Sequence, residues 1–259
     1  MISNIKARLD AGRALLYQTA RYVDIYKGLE DIERTRKLTD EEKAELKRYQ
    51  KLASACTPLA KGMNSEYANL NAYDSIQVHG GSGYMLEYAC QRLYRDARIT
   101  SIYEGTTQLQ TVAALPHINT GTYSQMLEEL EAGEVAAEYE SLKARAKAMD
   151  AKFNEAVEYV KAANNNEFTD LCSRHLYAVS RKRLVLTSRV GESETQAERS
   201  YKAANCVMTQ LMLRDATKAP ELFEKSMKVY LNLAEAEVAK HYNFVKSVDV
   251  EAIANYKKA

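Results

Sequence analysis

Glu104 lies in SIYEGTTQLQ, residues 101–110, with Tyr103 before it and Gly105, Thr106 and Thr107 behind it. Taken alone, a glutamate there is an acid near a helix start, favourably placed against the macrodipole. A glutamate can also be a general base when a weakly acidic proton is held against it. The glycines sharpen the question. Four of the ten, Gly80, Gly81, Gly83 and Gly105, cluster just ahead of and within this stretch, where backbone must turn sharply or approach a ligand. Other chemistry is thin. Cys56, Cys90, Cys172 and Cys206 have no CxxC spacing, and no histidine completes a zinc set, so buried thiols of a reducing compartment are expected. His117, His175 and His241 are isolated and read as packed or surface residues. There is no GKS or GKT phosphate loop.

The elements that must position these residues read as helices. From Ile2 to about Gly28, apolar residues recur at Ile5, Leu9, Leu15, Leu16, Ala20, Val23 and Tyr26, the spacing of one buried helical stripe. After a charged connection, Thr39 and Glu42 form a capping box that starts a long helix running toward His79. Pro58 falls inside it, and a kink or short break is expected there. Gly80 and Gly81 supply the positive φ of a helix C-cap. MLEYACQRLYRDAR reads as a shorter helix, SIYEG as non-helical, and TTQLQTVAAL as the start of another helix.

Beyond Pro116 the pattern changes. INTGTYSQMLEELEAG reads as a linker and short helix, and Val135, Tyr139, Leu142, Ala146, Met149, Phe153, Ala156 and Val160 form a bundle seam. Asn164 to Asn166 should break it. Helices are then expected from about Phe168 to Val190, from Ser193 (SETQ, a capping box) to about Lys218, and from Pro220 onward, forming an antiparallel bundle. Lys+Arg 36 against Asp+Glu 35 leaves no field for nucleic acid or an anionic membrane. With no apolar signal core in MISNIKARLDAGR and no membrane-spanning run, a cytoplasmic, soluble protein is expected. Scarce glycine and proline, 10 and 3, favour an all-α protein.

The stretch from Gln77 to Gln110 carries Gln77, Gly80-Gly81, Gly83-Tyr84, Glu87, Arg95-Asp96-Ala97, Ile102-Tyr103-Glu104-Gly105-Thr106, Gln108 and Gln110. It resembles the C-terminal signature of acyl-CoA dehydrogenases, strongly over residues 1 to 115 and more weakly over the extra helical domain of the longer members. The resemblance implies two units: 1–118, the family's C-terminal helical domain in N-terminally incomplete form, and 119–259, an appended helical bundle. It implies α,β-desaturation of an acyl-CoA thioester, with FAD as hydride acceptor. Glu104 would remove the α-proton, and its own amide would hold the developing enolate oxygen beside a flavin ribityl hydroxyl. A water-poor pocket would raise the carboxylate's pKa. Tyr103 would line the acyl pocket, and Gly105 would let backbone pass the thioester. Thr106 and Gln108 match positions that meet FAD. Gln77, Val78, His79, Gly80 and Gly81 match a strip against the adenosine half of FAD bound to a neighbouring subunit.

By the same resemblance, an N-terminal helical domain, a middle β domain and an arginine-bearing helix precede this region, so the chain is expected to be a piece of a longer enzyme or one subunit of a split one. The implied partners are acyl-CoA, an electron-transfer flavoprotein as acceptor, and a homo-oligomer or a second chain carrying the remaining domains. Two other readings stand beside this one: an oxygen-using acyl-CoA oxidase, and a non-catalytic helical module that keeps the signature as a dimerisation surface.

Overall fold

The computed structural model describes residues 1–163 and 199–247, and every described element is helical. Helix α1, Ile2–Thr35, pairs with the still longer α2, Asp40–His79. Their direction is antiparallel: Arg8 meets Asp74 at 2.8 Å, Asn64 donates to the Gly12 carbonyl at 3.3 Å, and Gln50 donates to Glu30 at 3.1 Å. Small residues allow the approach. Ala7, Ala11, Gly12 and Ala14 are buried, and a Cβ on Gly12 would fall 2.1 Å from Asn64 Oδ1.

The connection between them is tightly held. Thr39 accepts from the Glu42 amide at 3.2 Å while the Glu42 carboxylate accepts from the Thr39 amide at 2.9 Å. Arg36 closes on both oxygens of that carboxylate at 2.8 and 2.6 Å. Hydrogen bonding to Arg36 therefore holds the Glu42 pKa down to about 2. The expected capping box is present.

Three boundaries differ from expectation. Helix α1 passes Gly28 and runs to Thr35, because the supposed connection carries i,i+3 ion pairs, Lys27–Glu30 and Arg34–Asp31, which support a helical face. Helix α2 continues unbroken through Pro58. One lost backbone donor costs it little beside the surrounding burial of Ala55, Cys56, Leu59 and Ala60. The third helix, α3, begins only at Ala89 and ends at Ile99. Met85 and Tyr88 instead close turns onto Ser82 and Met85, following the short 3-10 segment Gly80–Tyr84.

Helix α4 spans Thr107–Asn119 and α5 spans Thr122–Glu131. After a 3-10 turn at Ala137–Tyr139 comes α6, Glu140–Ala163. The seam read from the sequence is the core side of this stretch: Tyr139, Ala146, Met149, Phe153, Ala156 and Val160 are buried, with Val135 and Leu142 half-buried against them. Asn164 to Asn166, the helix expected over 168–190, Ser193 and Cys172 and His175 lie outside the described residues. Helix α7, Arg199–Lys218, and α8, Pro220–Ser247, follow, with Pro220 at the first helical position, where its missing N–H is harmless.

Every residue of α7 from 203 to 213 is buried, as befits a helix enclosed on all sides. It packs against α1, α2, α4, α5, α6 and α8, so a single hydrophobic cluster joins residues from Ala7 to Val238. Several polar groups on and around it pair with one another. Tyr67 and Tyr230 hydroxyls lie 2.9 Å apart, and both reach Asn205 Oδ1, at 3.2 and 3.0 Å. Thr209 bonds back to the Asn205 carbonyl at 2.8 Å, and Gln210 donates to Asp150 at 2.6 Å. Cys56, Cys90 and Cys206 are buried and form no disulfide among the described residues. Burial pushes the Cys56 thiol up to about 12, so it is an inert core residue.

Candidate active site

The turn carrying Glu104 is built between α3 and α4. The chain leaves α3 by folding back on it: the Ile102 and Tyr103 amides both donate to the Ile99 carbonyl, at 2.9 and 3.1 Å. The Thr107 amide closes onto the Ser101 carbonyl at 3.1 Å, leaving residues 102–106 as a protruding loop. Thr106 caps α4, its hydroxyl accepting from the Leu109 amide at 3.3 Å.

Two backbone conformations at the tip are unusual. Gly105 has φ 92, and Glu104 has φ 52, the one positive-φ non-glycine residue among those described. A side chain at positive φ crowds its own backbone, and such residues persist where the surroundings over-determine them, often at functional sites. The surroundings here are explicit. Lys61 Nζ, from α2, donates to the Gly105 carbonyl at 2.6 Å and lies 5.7 Å from the Tyr103 ring centroid. Gln110 Nε2 donates to the Glu104 and Gly105 carbonyls at 3.1 and 3.4 Å. The buried Thr107 hydroxyl donates to Glu66 Oε1, also on α2, at 2.7 Å.

The Glu104 side chain is exposed, and so are Tyr103 and Ile102 beside it. The Glu104 amide donates to no acceptor among the described residues. A carboxylate and a backbone donor one residue from a glycine hinge can therefore present together to a molecule laid over the loop. Tyr103, Glu104, Gly105, Thr106 and Gln108 all belong to this one turn and the first residues of α4.

Gln77, Val78, His79, Gly80 and Gly81 do not join them. They lie exposed at the far end of α2 and just past it, with His79 18 positions past Lys61 and so about 27 Å along the helix axis. Gly80 closes α2 with φ 62, its amide bonded to the Gln77 carbonyl. The His79 ring donates through Nδ1 to the Ser75 carbonyl at 2.8 Å and meets Tyr88 edge-on. Gly83 is the tight point: a Cβ there would sit 2.8 Å from the Ile76 carbonyl oxygen. Around this end the chain exposes Tyr84, Met85, Leu86, Tyr88 and Leu93.

Sequence reasoning missed Lys61 and Glu66. They sit in TPLAKGMNSEY, far from the signature stretch, and their role exists only once α2 lies under the loop. Among the described residues no cluster of His, Cys, Asp and Glu could hold a metal ion, and no described helix is long and apolar enough to cross a membrane.

The all-helical architecture is consistent with that of the C-terminal portion of acyl-CoA dehydrogenases. The family profile described as "Acyl-CoA dehydrogenase, C-terminal domain" matches residues 1–114, and that described as "Acyl-CoA dehydrogenase C terminal" matches residues 119–197 and 191–253. The chain belongs to the acyl-CoA dehydrogenase family. It is 32% identical over 110 residues to the caffeyl-CoA reductase–Etf complex subunit CarC of Acetobacterium woodii, covering 42% of this chain and 23% of that one. It is 49% identical over 59 residues to the mitochondrial long-chain specific acyl-CoA dehydrogenase of Sus scrofa, covering 23% and 14%. The crystal structure of an acyl-CoA dehydrogenase complexed with FAD from Bacillus anthracis superposes with a TM-score of 0.60 at 18% identity, over 97% of this chain and 42% of that one. That likeness concerns the fold. The chain thus spans under a quarter of the length of the curated relatives named here.

Proposed function

We propose that this chain forms the C-terminal helical part, residues 1–118 with an appended unit at 119–259, of an FAD-dependent acyl-CoA dehydrogenase that desaturates a thioester between its α and β carbons. The observation that carries the reading is the positive-φ Glu104 at the exposed tip of a braced turn. Its carboxylate takes the α-proton, and its amide donates to the thioester oxygen as negative charge develops there. FAD, when bound, supplies the acceptor for the β-hydride. Tyr103 lies against the acyl chain, and the Gly105 hinge keeps the backbone clear of the thioester. Thr106 and Gln108 face the cofactor from the start of α4.

Because Glu104 and Tyr103 are open to water in this chain, the working site needs a covering surface from other domains or subunits. A dry site strengthens the hydrogen bond from the amide to the developing charge. The 77–81 strip, about 20–27 Å along α2 from the residues that brace the loop, serves a second FAD held mainly by a neighbouring subunit. Its bare backbone at Gly80 and Gly81, with no atom within 4 Å of either missing Cβ, leaves room for such a ligand. The exposed apolar residues around it suit an interface, and the assembly is a homo-oligomer or a complex with a second chain. Electron-transfer flavoprotein is the proposed acceptor and the cytoplasm the proposed location; the Acetobacterium woodii relative is itself named as part of an Etf complex.

The test is anaerobic bleaching of FAD by short- and medium-chain acyl-CoA in the assembled enzyme, with Glu104→Gln beside wild type. Bleaching that falls at least about 10³-fold in the variant, with flavin still bound, supports the assignment. Turnover retained in Glu104→Gln sinks it.

A further inference from the structure

We infer that Lys61 and Glu66 are positioning residues that hold Glu104 in its working conformation; the inference rests on the proposed role of Glu104 as the base. The two side chains rise from α2 five positions apart, about 7.5 Å along its axis, and take the loop on both sides of Thr106. Lys61 Nζ holds the Gly105 carbonyl at 2.6 Å, and Glu66 Oε1 holds the Thr107 hydroxyl at 2.7 Å.

Stabilising α4 does not explain the lysine. A cation at a helix N-terminus opposes the macrodipole, and Lys61 stands against the residues that open α4. What its ammonium gains is one carbonyl, that of the hinge glycine, and the face of Tyr103 at 5.7 Å. Both neighbours of Glu104 are thereby tied to one charge. Glu66 complements it, since a carboxylate at a helix start is favoured, and it fixes the buried Thr107. With Gly105 O and Thr107 Oγ1 both anchored to a long rigid helix, the residue between the hinge and Tyr103 is left with little freedom. With Gln110 holding the Glu104 and Gly105 carbonyls from α4 at 3.1 and 3.4 Å, these anchors keep Glu104 at φ 52.

A residue that only stabilises the fold would act on the whole domain, whereas this clamp acts on one turn. Hydrogen exchange followed by mass spectrometry on the 259-residue chain separates the two. Lys61→Met keeps the half-buried stem and removes the charge. Exchange of the amides in 101–107 should rise about tenfold while that of the α1 and α2 peptides stays unchanged, and Lys61→Arg should restore much of the protection. Glu66→Ala should act on the same amides, and Glu66→Gln, which keeps an acceptor, should not. In the assembled enzyme kcat should drop on the order of 10²-fold with KM within about threefold, as expected for a misplaced base.

Unchanged exchange at 101–107 in the Lys61→Met/Glu66→Ala double variant overturns the inference, even in an active enzyme. Because exchange needs no turnover, failure of the desaturation reading would leave a loosened turn on record and be told apart. If Lys61→Met does not fold, the Glu66→Ala and Glu66→Gln pair decides by the same criterion.

Discussion

Replacing Asn205 by leucine should destabilise the chain more than removing either tyrosine hydroxyl that bonds to it. The Tyr67 and Tyr230 hydroxyls share two hydrogens between two acceptors, each other and Asn205 Oδ1, over contacts of 2.9, 3.2 and 3.0 Å. Tyr230 is 1% exposed, so water does not compete. In Tyr230→Phe the remaining Tyr67 hydrogen still reaches Asn205, and the cost is that of one net hydrogen bond, about 0.5–1.5 kcal/mol. In Asn205→Leu one hydroxyl donates to the other, and the last hydrogen is left with Met208 sulfur at 3.7 Å. A buried donor without an oxygen costs about 1–3 kcal/mol, in addition to the bond lost. Adding Tyr230→Phe to Asn205→Leu should then cost about one further hydrogen bond, because the unpaired hydrogen passes to Tyr67, whose two partners are both gone. The two substitutions should therefore add within about 0.5 kcal/mol. Urea unfolding followed by far-UV circular dichroism and tyrosine emission, in a chain with 18 tyrosines and no tryptophan, reads these differences as midpoint shifts at constant slope. Equal costs for Asn205→Leu and Tyr230→Phe would refute the reasoning.

Asp150 predicts a pH dependence. It is 2% exposed, and Gln210 donates to its Oδ2 while Oδ1 is buried as well. Burial, with the Glu131 carboxylate nearby adding to it, pushes its pKa from the ordinary 3.8 to about 7, against the opposing bonds from Gln210 and Cys206. Lys147, on the same helix, reaches that Glu131 at 3.9 Å. The folded state therefore keeps a proton that the unfolded state has already lost between pH 4 and 7, and stability falls as pH rises through that window. Asp150→Asn should match wild type near pH 4.5 and exceed it at pH 8 by on the order of 2–4 kcal/mol; an equal offset at both pH values in urea titrations would remove the carboxylate from the account. Thr39→Ala should cost about 1 kcal/mol through the lost cap, with hydrogen exchange rising in the first turn of α2 and not at its His79 end; uniform exchange changes would contradict a local role.

What could be read from the sequence was whatever depends on near neighbours along the chain. The Thr39–Glu42 cap, the positive-φ end of α2 at Gly80 and the non-helical turn at 101–105 each follow from a few adjacent residue types. The stripe from Tyr139 to Val160 follows from helical periodicity. The two braces from α2 were out of reach, because Lys61 and Gly105 stand 44 positions apart and Glu66 and Thr107 stand 41 apart. Nor does any local rule give a glutamate a positive φ. The enclosed position of α7 did leave a trace: AANCVMTQLML, residues 203–213, carries no charge in a chain that is 27% charged. That silence marks a helix with no solvent face.

Helix α7 also sets a schedule for synthesis. Its counterpart faces on α1 and α2 leave the ribosome first, yet the segment that covers them is translated nearly 200 residues after α1 begins. At roughly 5–20 residues per second, those apolar faces wait about 10–40 s before their central partner exists. During that interval the emerging helices resemble an aggregation-prone intermediate. Chaperone occupancy of nascent chains should therefore persist until residues beyond 218 have emerged, and then fall.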